Sequence, residues 1–337
     1  MWPRLKNSPH TYAHEGLESI FLFEFIELQW VQTDFLRLSD NNKKKSLWSR
    51  ANVTTMPSIR YTFSGHESFP CRTLWLKKGY DFVARKNDFN APDAVIRLGV
   101  GKNMVSSIKY WMRAFCIYNS EGLSPLAKYL LDSSCGKDPY MEDLGTLWLL
   151  HFLLVSSKEA TLYNLLFLGL QSERTTFDKL RVTNYVRRIM SEDGKLGQFN
   201  ENTVSKDFNT LIQMYALPKS PKSFDDYSSL LIDLDLVRED SEGKGYVFNV
   251  EGKREIPWQV FLYAVIMSKG TDQTVSYDVL QDIGKIFCMT DMEVIDMCRR
   301  TEEHCNGNVR YSDTAGVRQL LFLVDLTPED VLNEYYG

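Results

Sequence analysis

Hydrophobic residues recur at helical spacing through most of the chain after residue 70, and the spacing predicts a mainly α-helical protein. The stretch Arg72 to Arg85 places Leu74, Trp75 and Val83 toward a core, with Pro70 near its start, where a missing amide costs nothing. From Ala91 to Leu131 the pattern predicts a helix, a tight glycine turn, a second amphipathic helix and a short return segment, the order of a winged helix. Its second helix is expected to open at Asn103, whose side chain would cap the first turn. Val105, Ile108, Met112 and Phe115 share one stripe, leaving Lys102, Ser106, Ser107, Lys109, Tyr110 and Arg113 to face outward. Gly122 with Leu123-Ser124-Pro125-Leu126 is expected to form a short wing leading into a helix from Leu126 to Leu131.

A strongly apolar helix follows from Leu144 to Val155, with Trp148, Leu149, Phe152 and Leu153 nearly encircling it, so it is predicted to be buried. His151 within it is expected to be a hydrogen-bonded core histidine. Another helix is expected from about Glu159 to Leu170. Phe177 to Tyr215 forms a second helix-turn-helix candidate, capped at the Asn200-Glu201-Asn202 turn, with Val204, Phe208, Leu211, Ile212 and Tyr215 inward and Lys206 and Gln213 outward. A hairpin turning at Glu242 to Gly245 would be its wing. From Ile256 onward the chain reads as mainly helical, with helices Trp258 to Met267, Ser276 to Asp282, Asp291 to Glu303 capped by Asp291, and Pro328 to Tyr336. Its polar passage Arg310 to Gln319 is either a buried network or a binding edge. The expected fold is thus tandem winged-helix or helix-turn-helix units with short β-wings and a C-terminal helical domain, divided at 56–135, 136–255 and 256–337.

Residues 1–55 look foreign to this plan. Their apolar run Ile20 to Phe25 is too short to span a membrane, and no signal-peptide cleavage site follows it. Met56 precedes what reads as a natural domain start, so 1–55 is expected to be a poorly ordered extension or an artefact of the start site. At 337 residues with 44% hydrophobic content, the chain has room for two or three folded, soluble domains. The net charge of −5 argues against a protein that coats nucleic acid nonspecifically. From Ala94 to Ser120, however, four basic residues stand without an acidic one, which makes DNA the leading partner of that surface. A protein contact through the same three-helix unit is the competing reading. Six cysteines without a C-x-x-C pair imply reduced thiols and a cytoplasmic location. Cys298, His304 and Cys305 lack a fourth ligand for a metal.

Candidate chemistry is sparse. Gly99-Val100-Gly101-Lys102 lacks the spacing of a phosphate loop and follows a helix, no nucleotide or flavin signature is present, and Gly65-His66-Glu67 is followed by Pro70 where a zincin needs histidine. Glu67, Asp138, Glu142 and Asp143 could hold a divalent ion such as Mg2+, or could equally cap helix starts. His66 beside Glu67 could serve as a general acid or base.

Four blocks, taken in order, resemble a prokaryotic family of unknown function that is similar to the SspB component of single-strand DNA phosphorothioation systems. They are Phe63 to Pro70, Leu98 to Val105, Asp138 to Asp143 with Thr146 to His151, and Asp313 to Gln319. The resemblance runs from about Met56 to the C-terminus. It implies a DNA-binding, strand-nicking component of a sulfur-modification or phage-defence system, partnered by sulfur-transfer proteins. On that reading His66, Glu67 and Asp143 are the acid/base candidates, Glu67 and Asp143 the metal ligands, and Arg72, Lys102, Asn103, Lys109 and Arg113 the phosphate grip. A winged-helix transcription regulator and a non-catalytic adaptor of a sulfotransfer complex remain as alternatives.

Overall fold

The computed structural model describes residues 60–337 apart from 158, 219–226, 251, 253–254 and 315. The expectations for 1–55, including the start at Met56, lie outside the described residues. The first helices are α1 (Trp75–Ala84), α2 (Ala94–Leu98), α3 (Lys102–Ala114) and α4 (Pro125–Leu131). Helix α2 ends on Gly99, whose left-handed φ of 63° suits glycine. Helix α3 starts one residue before the expected Asn103, with Gly101 as its N-cap and no side chain capping it. Ser107 and Tyr110, expected outside, are buried with Val105, Ile108, Trp111 and Met112, because α3 packs against α1 on one side and the 63–70 loop on another. The expected wing is reduced to one antiparallel bridge, Tyr118 to Leu123. Ser124 instead caps α4 by accepting from the Ala127 amide, with Pro125 in the first turn.

Helix α5 (Leu144–Ser156) is buried continuously from Gly145 to Val155, as its apolar circumference requires. Each of its fully buried leucines contributes about 1.5–3 kcal/mol by leaving water. His151 accepts from Tyr215 Oη at Nδ1 (2.7 Å) and donates from Nε2 to the Ile286 carbonyl (2.7 Å), so it is a core histidine satisfied at both nitrogens.

The rest of the chain runs twice through the same order of helix, short strand, helix, helix and hairpin. The first pass is α6, running from Thr161–Asn164 through a π-helical stretch Leu165–Leu170 to Gln171–Glu173, then β1 (Thr176–Phe177), α7 (Lys179–Glu192), α8 (Glu201–Tyr215), β2 (Val237–Glu239) and β3 (Tyr246–Phe248). Asn200 caps α8 by accepting from the Thr203 amide, as its place in the turn predicted. The second pass is α9 (Trp258–Lys269), β4 (Thr274–Ser276), α10 (Tyr277–Ile286), α11 (Asp291–His304), β5 (Val309–Thr314) and β6 (Val317–Phe322). Both sheets are antiparallel with the last strand central, in the orders β1-β3-β2 and β4-β6-β5.

The second sheet lies in the region expected to be mainly helical. The polar passage Arg310 to Gln319 is its hairpin, registered from Val309 opposite Phe322 to Thr314 opposite Val317. Only Val309, Leu320 and Phe322 among these strand residues are buried, too few for a period-2 pattern to stand out in sequence. Helix α11 is capped by Thr290 in a capping box with Glu293, and Asp291, the expected cap, is its first residue. A final helix, α12 (Pro328–Tyr336), packs on α9 and places Tyr335 and Tyr336 over the start of α5. Buried apolar residues from Cys71 to Leu332 form one contiguous cluster. Among the described residues no helix is long and apolar enough to cross a membrane.

Candidate nucleic-acid interface

Between Arg72 and Tyr118 stand nine basic and three acidic residues, a surplus of six positive charges in a chain whose total is −5. The structure divides these cations into two groups. Lys77 is buried and donates to Asp81 (2.6 Å), the Leu131 carbonyl (3.0 Å) and Ser133 (2.6 Å). Lys78 donates to the Leu98 carbonyl (3.0 Å), closing the end of α2. Lys77 thus works inside the fold, whereas Lys78 is exposed but committed to that carbonyl. Lys102 and Asn103 are exposed at the uncapped start of α3, and their side chains make no hydrogen bond or ion pair among the described residues.

Lys109 is half-buried and donates to Asn90 (3.1 Å), which holds its ammonium beside the 87–93 loop. Arg97 pairs with Asp93 (2.6 Å) and reaches Asn87 (2.5 Å). Arg113 is exposed but bonded to Glu159 (2.5 Å), tying α3 to the start of α6. Arg72 lies over the Trp75 ring, its guanidinium carbon 5.7 Å from the centroid. The five residues nominated for phosphate contact therefore lie on α3 and on the lead-in to α1, with Arg113 already committed to a carboxylate.

The residues nominated for chemistry are not gathered in one place. His66 is buried, with its Nδ1 accepting from the Ser68 amide (3.0 Å), so Nε2 carries the proton and donates to Asp207 Oδ1 (3.0 Å). Asp207, itself buried on α8, also accepts from the Ser64 amide (2.9 and 3.1 Å). His66 stacks on Trp111 of α3, with centroids 6.0 Å apart. The 63–70 loop is thus a clasp between α3 and α8, and Gly65 allows it, since a Cβ there would stand 2.2 Å from the Tyr110 ring. Ser64, Glu67 and Ser68 adopt left-handed φ of 69°, 49° and 62° to hold this shape.

Glu67, on the same loop, is exposed. Asp143 caps α5, its Oδ1 accepting from the Thr146 amide (3.1 Å) and from Tyr335 Oη (2.8 Å). Asp138 accepts from the Glu142 and Asp143 amides (3.0 Å each). The Asp138 and Asp143 carboxylates are helix-start acceptors, one of the two roles their spacing allowed. Among the described residues, no three His, Cys, Asp or Glu side chains form a group that could hold a metal ion. Cys298 and Cys305 are buried free thiols, and burial pushes the Cys298 thiol up to about 12.

Asp207 and Glu159 escaped the sequence reading. Asp207 was legible in principle: it falls with Val204, Phe208 and Leu211 on the buried side of α8, where an acid needs a partner. Glu159 carries no such signal, being adjacent to Arg113 only in space.

With the geometry in hand, the chain belongs to a family of proteins of unknown function (DUF4007), matched over residues 63–336. Two solved structures resemble it. A magnesium ion-bound SspB crystal structure aligns with 27% identity and a TM-score of 0.72, covering 82% of this chain and 88% of that one. A second SspB crystal structure aligns with 26% identity and a TM-score of 0.73 over the same shares. No curated protein matches the chain in sequence. The chain is therefore an SspB-like member of that family.

Proposed function

We propose that this protein is the DNA-binding component of a cytoplasmic DNA sulfur-modification or phage-defence system, working with sulfur-transfer proteins. The observation that carries the reading is the cationic α2–turn–α3 segment, presented by a chain that aligns with SspB over most of its length. Lys102, Asn103 and Lys109 engage phosphates together with the open first amides of α3, which carry the positive end of the helix dipole. Arg72 and Arg113 extend the contact, Arg113 by exchanging Glu159 for a phosphate oxygen. The two repeats of helix, strand, helix, helix and hairpin are winged-helix units, each with its sheet ordered first, third, second.

Gel shifts with the full chain test this reading. Lys102→Glu with Lys109→Glu should abolish binding at moderate salt, and Lys102→Ala should lower the salt slope by about one unit for its lost phosphate contact. Full DNA affinity in the double variant would move the DNA contact away from α3, and a wild-type chain that binds no DNA would leave the adaptor reading in its place. A footprint confined to one operator would favour the transcription regulator.

Strand nicking is a second reading, favoured by the magnesium ion in one SspB structure. Among the described residues the carboxylates do not make a preformed ligand set. A supercoiled-plasmid assay with and without magnesium decides it. Glu67, the exposed acid beside His66, is the residue whose alanine variant should lose nicking. His66 and Asp143 enter only if their variants lose nicking while remaining folded.

A further inference from the structure

Ile96 is 82% exposed, the most exposed of the large hydrophobic side chains among the described residues. Isolated surface apolar residues are common, and Ile96 is set apart by its setting. Helix α2 satisfies its own packing through Ala94 and Leu98, which are buried, so Ile96 is superfluous to the core. A β-branched residue gains nothing as a helix former at an exposed position. It stands between Val95, itself 37% exposed, and Arg97, one turn before the cations of α3. The turn behind it is slim: a Cβ built on Gly99 or Gly101 would meet nothing within 4 Å, so no side chain walls off the tip. The base of the tip is braced by the Arg97 contacts to Asp93 and Asn87 and by Lys78 on the Leu98 carbonyl. A braced apolar tip on the segment that leads into the α3 cations has the chemistry of a side chain that enters between bases while its neighbours hold the phosphates.

We propose that Ile96 is a wedge that unstacks a base step of bound DNA, so that the preferred ligand is duplex already weakened at one step, such as a gap or nick. This rests on the DNA-binding reading above. Phosphates alone would attract Lys102 and Lys109, but only an unstacked step offers an apolar slot for the isoleucine. Water leaves both the side chain and the base faces when it enters.

The test uses the full chain with a short duplex carrying 2-aminopurine opposite a one-nucleotide gap, and an intact control of the same sequence. Wild-type protein should raise 2-aminopurine fluorescence several-fold and prefer the gapped duplex by about tenfold or more, a factor that corresponds to about 1.4 kcal/mol. Ile96→Ala should lose most of that rise and preference while binding intact duplex within a few-fold of wild type. Leu217→Ala, at a 73% exposed leucine beyond α8, should change neither. A rise retained in Ile96→Ala, or wild-type binding with no rise, overturns the wedge and leaves the phosphate grip standing. Absence of binding to either duplex overturns both.

Discussion

Gly145 sits in the first turn of α5, and a Cβ added to it would lie 2.4 Å from Tyr335 Oη. That hydroxyl donates to Asp143, so one hydrogen atom at position 145 lets the last helix lock onto the start of α5. Gly145→Ala is expected to displace Tyr335 and cost about 1–3 kcal/mol in urea unfolding. Tyr335→Phe, which removes only the hydrogen bond, should cost about 1 kcal/mol. Tyr80 gives a pH signature. Burial, then its bond to Asp132, raise its phenol from 10.0 to about 12. A raised value favours the neutral form in the folded state, so this stabilisation is complete below pH 10 and is lost as pH climbs toward about 12. Wild type should therefore exceed Tyr80→Phe in urea midpoint below pH 10, and the gap should close near pH 12. At this scale the sequence is least transparent. His66 and Asp143 stand out as polar residues in apolar blocks, but their hydrogen-bond partners Asp207 and Tyr335 lie 141 and 192 residues away, and only folding brings them together.

Helices were the legible elements. α5, α7 and α8 carry either continuous apolar character or a stripe, and each begins at an Asx residue whose side chain accepts from the amide three positions on. Starts without that chemistry shifted, as at α3, where Gly101 takes the place expected of Asn103. Short strands hid for a different reason. β4, β5 and β6 pair along one sheet, yet Arg310, Asp313 and Arg318 are exposed on the hairpin, so the sequence alternation is broken by residues that answer to solvent. The cap of α11 offers a direct check at this scale. Thr290 both accepts from the Glu293 amide and receives the Glu293 carboxylate on its own amide. Thr290→Ala should cost about 1 kcal/mol in thermal unfolding, whereas Asp291→Ala, which removes only a favourable charge in the first turn, should cost about 0.3–1 kcal/mol. A loss in Asp291→Ala clearly larger than that in Thr290→Ala would overturn Thr290 as the cap.

Across the whole molecule charge is segregated. The surplus of six positive charges between Arg72 and Tyr118 contrasts with residues 256–337, where six basic residues meet thirteen acidic ones, a deficit of seven. The third helix of the last repeat, α11, carries Asp291, Glu293, Asp296, Glu302 and Glu303 against Arg299 and Arg300. In a winged-helix unit that helix would approach the groove, and this composition repels phosphate. The equivalent α8 is close to neutral on its outer face, where Lys206 is offset by Glu201, itself paired with Arg187. The repeated topology therefore does not imply repeated DNA contact. Bound duplex would be attracted at α3 and pushed away from the last repeat, which orients it on the protein without any base being read. Asp296→Asn with Glu303→Gln should then leave duplex affinity unchanged or raise it, most at low salt, while Lys102→Glu lowers it under the same conditions. Gel shifts over a salt series measure both. A loss of affinity on neutralising α11 would place the last repeat in the interface and reverse this orientation.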